Sequence, residues 1–122
     1  MKGDLQAALD RADELGAAGL WFDAHEELEA YWMKAAGDEK ILLQGLIQVA
    51  AGLHRLKLDP QKTGGAFYLL DRGGEKLKKT RALLAPAPLA AFESALIDIR
   101  ASGILPKGLV FGLKMVPTID NH

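Results

Sequence analysis

Ile41-Leu42-Leu43-Gln44-Gly45-Leu46-Ile47-Gln48-Val49-Ala50-Ala51-Gly52-Leu53-His54-Arg55-Leu56 is apolar nearly all the way round when wound as a helix at about 100° per residue. Over residues 39–57 the only polar stripe is Lys40, Gln44, Gln48 and Arg55, at spacings of four, four and seven. A helix that is hydrophobic on most sides sits at the centre of a bundle. The stretch therefore predicts an all-α fold built around a helix from Glu39 to about Leu58. His54 lies off the polar stripe, between Leu43 and Ile47 in projection.

The preceding segment, Trp21-Phe22-Asp23-Ala24-His25-Glu26-Glu27-Leu28-Glu29-Ala30-Tyr31-Trp32, also winds as a helix, predicted to run to about Ala35. Trp21, Leu28 and Trp32 share one stripe, with Ala24 at its edge. His25 falls beside Trp32 on that stripe and Glu29 sits at its border, whereas Asp23, Glu26 and Glu27 point elsewhere. An imidazole and a carboxylate at i, i+4 are neighbours on a helix and can bond each other or share a ligand. Polar groups among core residues need partners. The reading is one internal polar pocket between these two helices, formed by His25, Glu29, Trp32, Gln44 and Gln48, with His54 close by.

The rest of the chain is divided by its turn residues. Asp4 is predicted to cap a first helix running to about Leu15, with Leu5, Ala8, Leu9, Ala12 and Leu15 at helical spacing and Gly16 and Gly19 at its exit. Gly37-Asp38 makes the turn into the central helix. Asp59-Pro60 ends that helix and starts a fourth, carrying Ala66, Phe67, Leu69, Leu70 and Leu77. Gly64-Gly65 and Gly73-Gly74 weaken it, so a close helix approach or an irregular turn is expected at one pair. Pro86 and Pro88 separate a fifth helix, from about Leu89 to Ala101, which Gly103 stops. The segment 104–122 fits no helical period and is too apolar for a disordered tail. It is expected to be irregular or partly extended, and to lie across the bundle or reach onto a neighbouring subunit. The terminal His122 is expected to be mobile.

Composition narrows the classes. The 122 residues fit a single helical domain of about five helices, able to bury roughly 65% of the unfolded surface. With no cysteine, disulfides and thiolate metal sites are excluded. A net charge of −1 gives no general pull toward DNA, RNA or an anionic membrane. No apolar run approaches the ~20 residues of a membrane span, and Met1-Lys2-Gly3-Asp4-Leu5-Gln6 has no signal-peptide core, so a cytoplasmic protein is expected. The charge is uneven, however. Residues 1–40 hold ten acids and four bases, while residues 55–81 hold eight bases and three acids. The two regions can attract each other within the fold or between subunits.

Three blocks carry a family likeness. Gly19 to Trp32 resembles the pattern of the domain-of-unknown-function 309 family, an aromatic pair, Glu-Ala-His-Glu, a pair ending in Glu, then Trp. Leu43-Gln44-Gly45-Leu46-Ile47-Gln48-Val49-Ala50, followed by His54, is similar to that family's Leu-Gln-Gly-Leu-Ile-Gln block, and Gly65-Ala66-Phe67-Tyr68-Leu69-Leu70 to its Gly-Ala-x-x-Leu-Leu segment. The resemblance covers about residues 17–84. It implies a compact all-α fold and brings no established activity or cofactor. Asp23 stands where that family usually has Glu, and Gly73-Gly74 where a helix former is commoner, which puts the continuity of the fourth helix in question.

Two functions fit these residues. The first is a binding or assembly module, a homo-oligomer or a protein with a protein partner, in which the polar residues fix helix register. The alternative is a metal-assisted hydrolase or a small-molecule-binding protein using His25, Glu29 and Gln44 or Gln48, with His25, Glu29 and His54 as the candidate metal ligands. His-Glu-x-Leu-Glu lacks the second His of the zincin motif, and Gln is a poor ligand for transition metals. No residue is singled out as catalytic. Ser94 and Ser102 stand in no nucleophile motif, and there is no glycine-rich phosphate loop.

Overall fold

The computed structural model describes residues 2–117. Five α-helices follow one another, α1 (Lys2–Ala17), α2 (Trp21–Trp32), α3 (Gly37–Leu58), α4 (Thr63–Lys79) and α5 (Pro86–Ser102), with a 3-10 turn at Arg81–Leu83. The first four pack as successive hairpins, α1 on α2, α2 on α3 and α3 on α4. The class is the all-α bundle that the central apolar stretch predicts. α3 supplies much of the core, burying Leu42, Leu43, Leu46, Val49, Leu53 and Leu56. Among the described residues no helix is long and apolar enough to cross a membrane.

Several helix ends differ from expectation. Asp4 lies inside the first turn of α1 rather than at its cap; an acid there still complements the positive end of the helix dipole. α2 stops at Trp32, three residues before Ala35. Pro60 does not begin α4, because a turn closed by the Lys62 N–H on the Asp59 carbonyl at 3.1 Å comes first. Pro86 and Pro88 lie within the first turn of α5 instead of preceding it, where a missing N–H costs nothing. Gly103 ends α5 in the left-handed conformation at φ 71°, its N–H on the Ile99 carbonyl at 2.7 Å. The terminal His122 lies outside the described residues.

α4 runs unbroken through Gly73-Gly74. Gly73 is where α3 and α4 come closest: a Cβ there would stand 2.5 Å from the Gly45 carbonyl oxygen and 2.6 Å from Val49 Cγ2. A Cβ on Gly45 would meet Lys76 Cβ at 2.8 Å, and one on Gly52 the Ala66 carbonyl at 2.9 Å. Close backbone packing thus offsets the conformational cost of these glycines. Gly74, one position on, faces open space.

The described part of the C-terminal segment, up to residue 117, lies across the bundle's own surface. Phe111 is buried between Trp21 and Phe92, edge-on to both at centroid distances of 5.6 and 5.2 Å. The backbone beside it is held by α1. The Asp13 carboxylate accepts the N–H groups of Phe111 and Gly112 at 2.8 and 3.0 Å, and Gln6 Oε1 accepts that of Met115 at 2.8 Å. On its other edge the strap makes an antiparallel bridge, Leu84 with Met115, in which the Ala85 N–H donates to the Lys114 carbonyl at 2.8 Å and the Val116 N–H to the Leu83 carbonyl at 3.0 Å. The segment is therefore partly extended, as its sequence predicts.

Burial pushes the Asp13 carboxyl above the ordinary carboxylate range, with the Asp10 charge adding to the rise, while the two N–H donors and Lys114 oppose it. The folded chain thus holds this proton more tightly than the unfolded chain. The stability the group contributes is complete below the unfolded value of 3.8 and is lost as pH rises through the folded one.

Two outcomes are expected. Gly73→Ala loses about 1–3 kcal/mol in urea unfolding through overpacking, whereas Gly74→Ala gains about 0.5–1 kcal/mol because a glycine is removed from a helix interior with space to spare. The advantage of wild type over Asp13→Asn should widen as the pH is lowered from about 7 to about 4.5, since only wild type takes up the proton.

Candidate functional site

Trp21 is buried at the start of α2 and sets the rotation of the helix, so His25, one turn on, lies against α3 with its side chain 23% exposed. Its Nδ1 stands 3.6 Å from Glu29 Oε1, too far for a hydrogen bond, and is buried without a partner. Phe22 stacks on the His25 ring at 5.9 Å and leans on His54 of α3 at 5.4 Å. One phenyl ring thus contacts both imidazoles. At the other end of α2, Lys40 Nζ sits 4.4 Å over the Trp32 ring, a cation–π contact, while Trp32 Nε1 is buried without a partner.

The glutamines go elsewhere. Gln48 turns toward α4, where its Oε1 accepts Lys76 Nζ at 2.9 Å, and Gln44 is exposed. The structure therefore divides the sequence-derived set. His25, Glu29, Trp32 and His54 lie along the α2–α3 seam, Gln48 along the α3–α4 seam, and Gln44 in solvent. Glu29 is also exposed, so the residues expected to share an internal pocket do not form an enclosed one. The reason is rotation of α3. Gly45 and Gly52 must face α4 to allow the close approach, and the glutamine stripe lies next to that edge rather than toward α2.

Among the described residues no three His, Asp or Glu side chains gather as a metal-ligating group. An open cleft of about 660 Å³ lies between α4 and α5, with Leu70, Glu93 and Ile97 in its walls. Another, of about 600 Å³, lies where α1 and α3 end and the strap begins, with Lys57 and Lys107 at its rim. Neither is lined by the residues of the seam. The sequence places neither Phe22 nor Lys76 in the pocket. The signal for Phe22 is its i, i+3 relation to His25; the signal for Lys76 is the small-residue edge of α3, which marks where α4 must lie.

The family described as "Domain of unknown function (DUF309)" matches residues 9–69 of the chain. The chain belongs to the DUF309 family. The match begins within α1 and takes in all of α2 and α3 and the first turns of α4, so both helices of the seam are DUF309 elements, whereas α5 and the strap lie beyond it. No curated protein and no solved structure matches the chain.

With Glu29 half-exposed and its imidazole partner at 3.6 Å, Glu29→Gln is expected to change stability by under about 0.5 kcal/mol in urea unfolding. His25→Ala should cost more, about 1–2 kcal/mol, through lost packing against Phe22.

Proposed function

We propose that the protein is a binding or assembly module that works through the outward face of α2 and α3. The observation that carries this reading is the pair Phe22 and Leu58, 48% and 69% exposed on either side of His54. Trp21, Leu53 and Leu56, their neighbours in sequence, are all buried. Large apolar groups held together in water at the junction of two rigid helices are what a docking surface needs.

His25 favours a second reading. Its unpartnered Nδ1 beside Glu29 leaves an imidazole and a carboxylate able to share a small ligand or a divalent ion. One experiment separates the two. If the folded chain assembles, its melting midpoint rises with protein concentration over about a hundredfold range, by mass action. The assembly reading expects that rise, unchanged by added zinc or manganese. A midpoint independent of concentration but raised by metal in wild type, and not in Glu29→Gln, overturns it in favour of the second reading.

A further inference from the structure

α3 runs between α2 and α4, and the strip of it that neither neighbour covers carries the exposed Gln44, Arg55 and Leu58 and the half-buried Gln48 and Ala51, with Ile47 and His54 at its α2 edge. One flank of that strip is acidic and the other basic. On α2, Glu26 and Glu29 are exposed; on α4, Arg72 is exposed and Lys76 half-buried.

The two flanks are also level. Phe22 meets His54 and Trp32 meets Lys40, so α2 runs down α3 with Glu26 near the height of Gln48 and Glu29 near that of Gln44. α4 likewise runs down α3, with Lys76 bonded to Gln48 and Gly73 against Gly45 and Val49. Glu26 and Glu29 therefore stand at the height of Arg72 and Lys76, on the opposite side of the ridge. Neither Arg72 nor Lys76 is tied down by a strong partner: Arg72 reaches the exposed Glu75 only at 3.9 Å, and Lys76 bonds a neutral amide.

Such a face is complementary to itself under one symmetry operation. A two-fold axis lying in the face and running along α3 exchanges the flanks, laying α2 of each copy over α4 of the other and bringing Gln44 and Ala51 near their own counterparts. An axis running across α3 would stack acid on acid and base on base, which is unfavourable. The 22 residues of α3 span roughly 33 Å, and three helix axes 8–10 Å apart make a face roughly 25 Å wide. That is on the order of the 800 Å² per partner found in stable dimers.

We infer that the protein pairs with a second copy of itself across this face, about a two-fold axis parallel to α3, with Glu26 and Glu29 of each copy opposite Arg72 and Lys76 of the other. The inference rests on the assembly reading above and adds to it the partner, the face and the axis.

Sedimentation equilibrium of the full chain at low salt tests it with two charge-reversed variants, Glu26→Lys/Glu29→Lys and Arg72→Glu/Lys76→Glu. Each alone is expected to weaken self-association by about tenfold or more, because like charges then face each other. Their equimolar mixture should recover it, since Lys meets Glu on both flanks of the mixed dimer. Should Lys76→Glu disturb its contact with Gln48 and unfold the chain, the exposed single changes Glu26→Lys and Arg72→Glu give the same comparison. A wild type that assembles while the variants assemble equally tightly, or a mixture that fails to recover, overturns the face and axis and leaves the assembly reading standing. A wild type that stays monomeric overturns both.

Discussion

The close approach of α3 and α4 is the constraint on which the rest of this structure depends. Gly73 admits the Gly45 carbonyl to a distance that no side chain would allow, and Gly52 does the same for Ala66 a little under two turns further along. With α4 held there, the rotation of α3 about its own axis is set. Leu43, His54 and Ile47 then turn toward α2, and the Gln48 amide comes within reach of Lys76. The broad apolar face of α3 is what makes this possible, because it buries Leu42, Leu46 and Leu53 along its middle, Val49 and Leu56 on the side of α4 and Leu43 and Ala50 on the other, without leaving a charge in the core. A more amphipathic helix would have one buried face and could not serve two neighbours.

The last described segment finishes the core from outside. Phe111 fills the space between Trp21 and Phe92, and its ring meets both edge-on, the arrangement that aromatic quadrupoles favour. Inserting an irregular backbone there would leave N–H groups without partners, and α1 supplies the acceptors through Asp13 and Gln6. The raised Asp13 carboxyl is the cost of placing a carboxylate where it can do this. α5 is joined to the rest through Phe92 on Phe111, through Arg81 and Glu93 at 3.6 Å, and through the two-point ion pair of Arg100 with Asp71 at 3.2 and 3.3 Å. The strap and α5, both beyond the DUF309 match, are thus tied to the α1–α2 hairpin that lies mostly within it.

The surface logic follows from the same arrangement. Because α2, α3 and α4 lie in a row, the acids of α2 and the bases of α4 end up on opposite sides of one ridge instead of neutralising each other. Phe22 contacts both His25 and His54 with part of its ring and leaves the rest in water. A row built this way presents a mixed polar and apolar strip, Gln44, Gln48, Ala51 and Leu58, between one acidic and one basic flank.

The helical class was legible in the chain itself, since apolar periodicity is a local property: the span of α3, the stop at Gly103 and the partly extended strap all follow from residues within a turn or two of one another. So was the adjacency of His25 and Glu29, which i, i+4 spacing alone dictates. The blocks shared with DUF309 were legible as well, being matters of residue order. What only the tertiary structure decided was rotation and direction. Gln44 and Gln48 are placed by where α4 docks, and α4 docks where Gly45, Gly52 and Gly73 let two backbones meet, a contact between residues nearly thirty positions apart. The strap's course across the bundle depends on an acceptor in α1 almost a hundred residues away. A one-dimensional pattern records which faces of a helix are apolar; which neighbour each face meets depends on how all the helices pack at once.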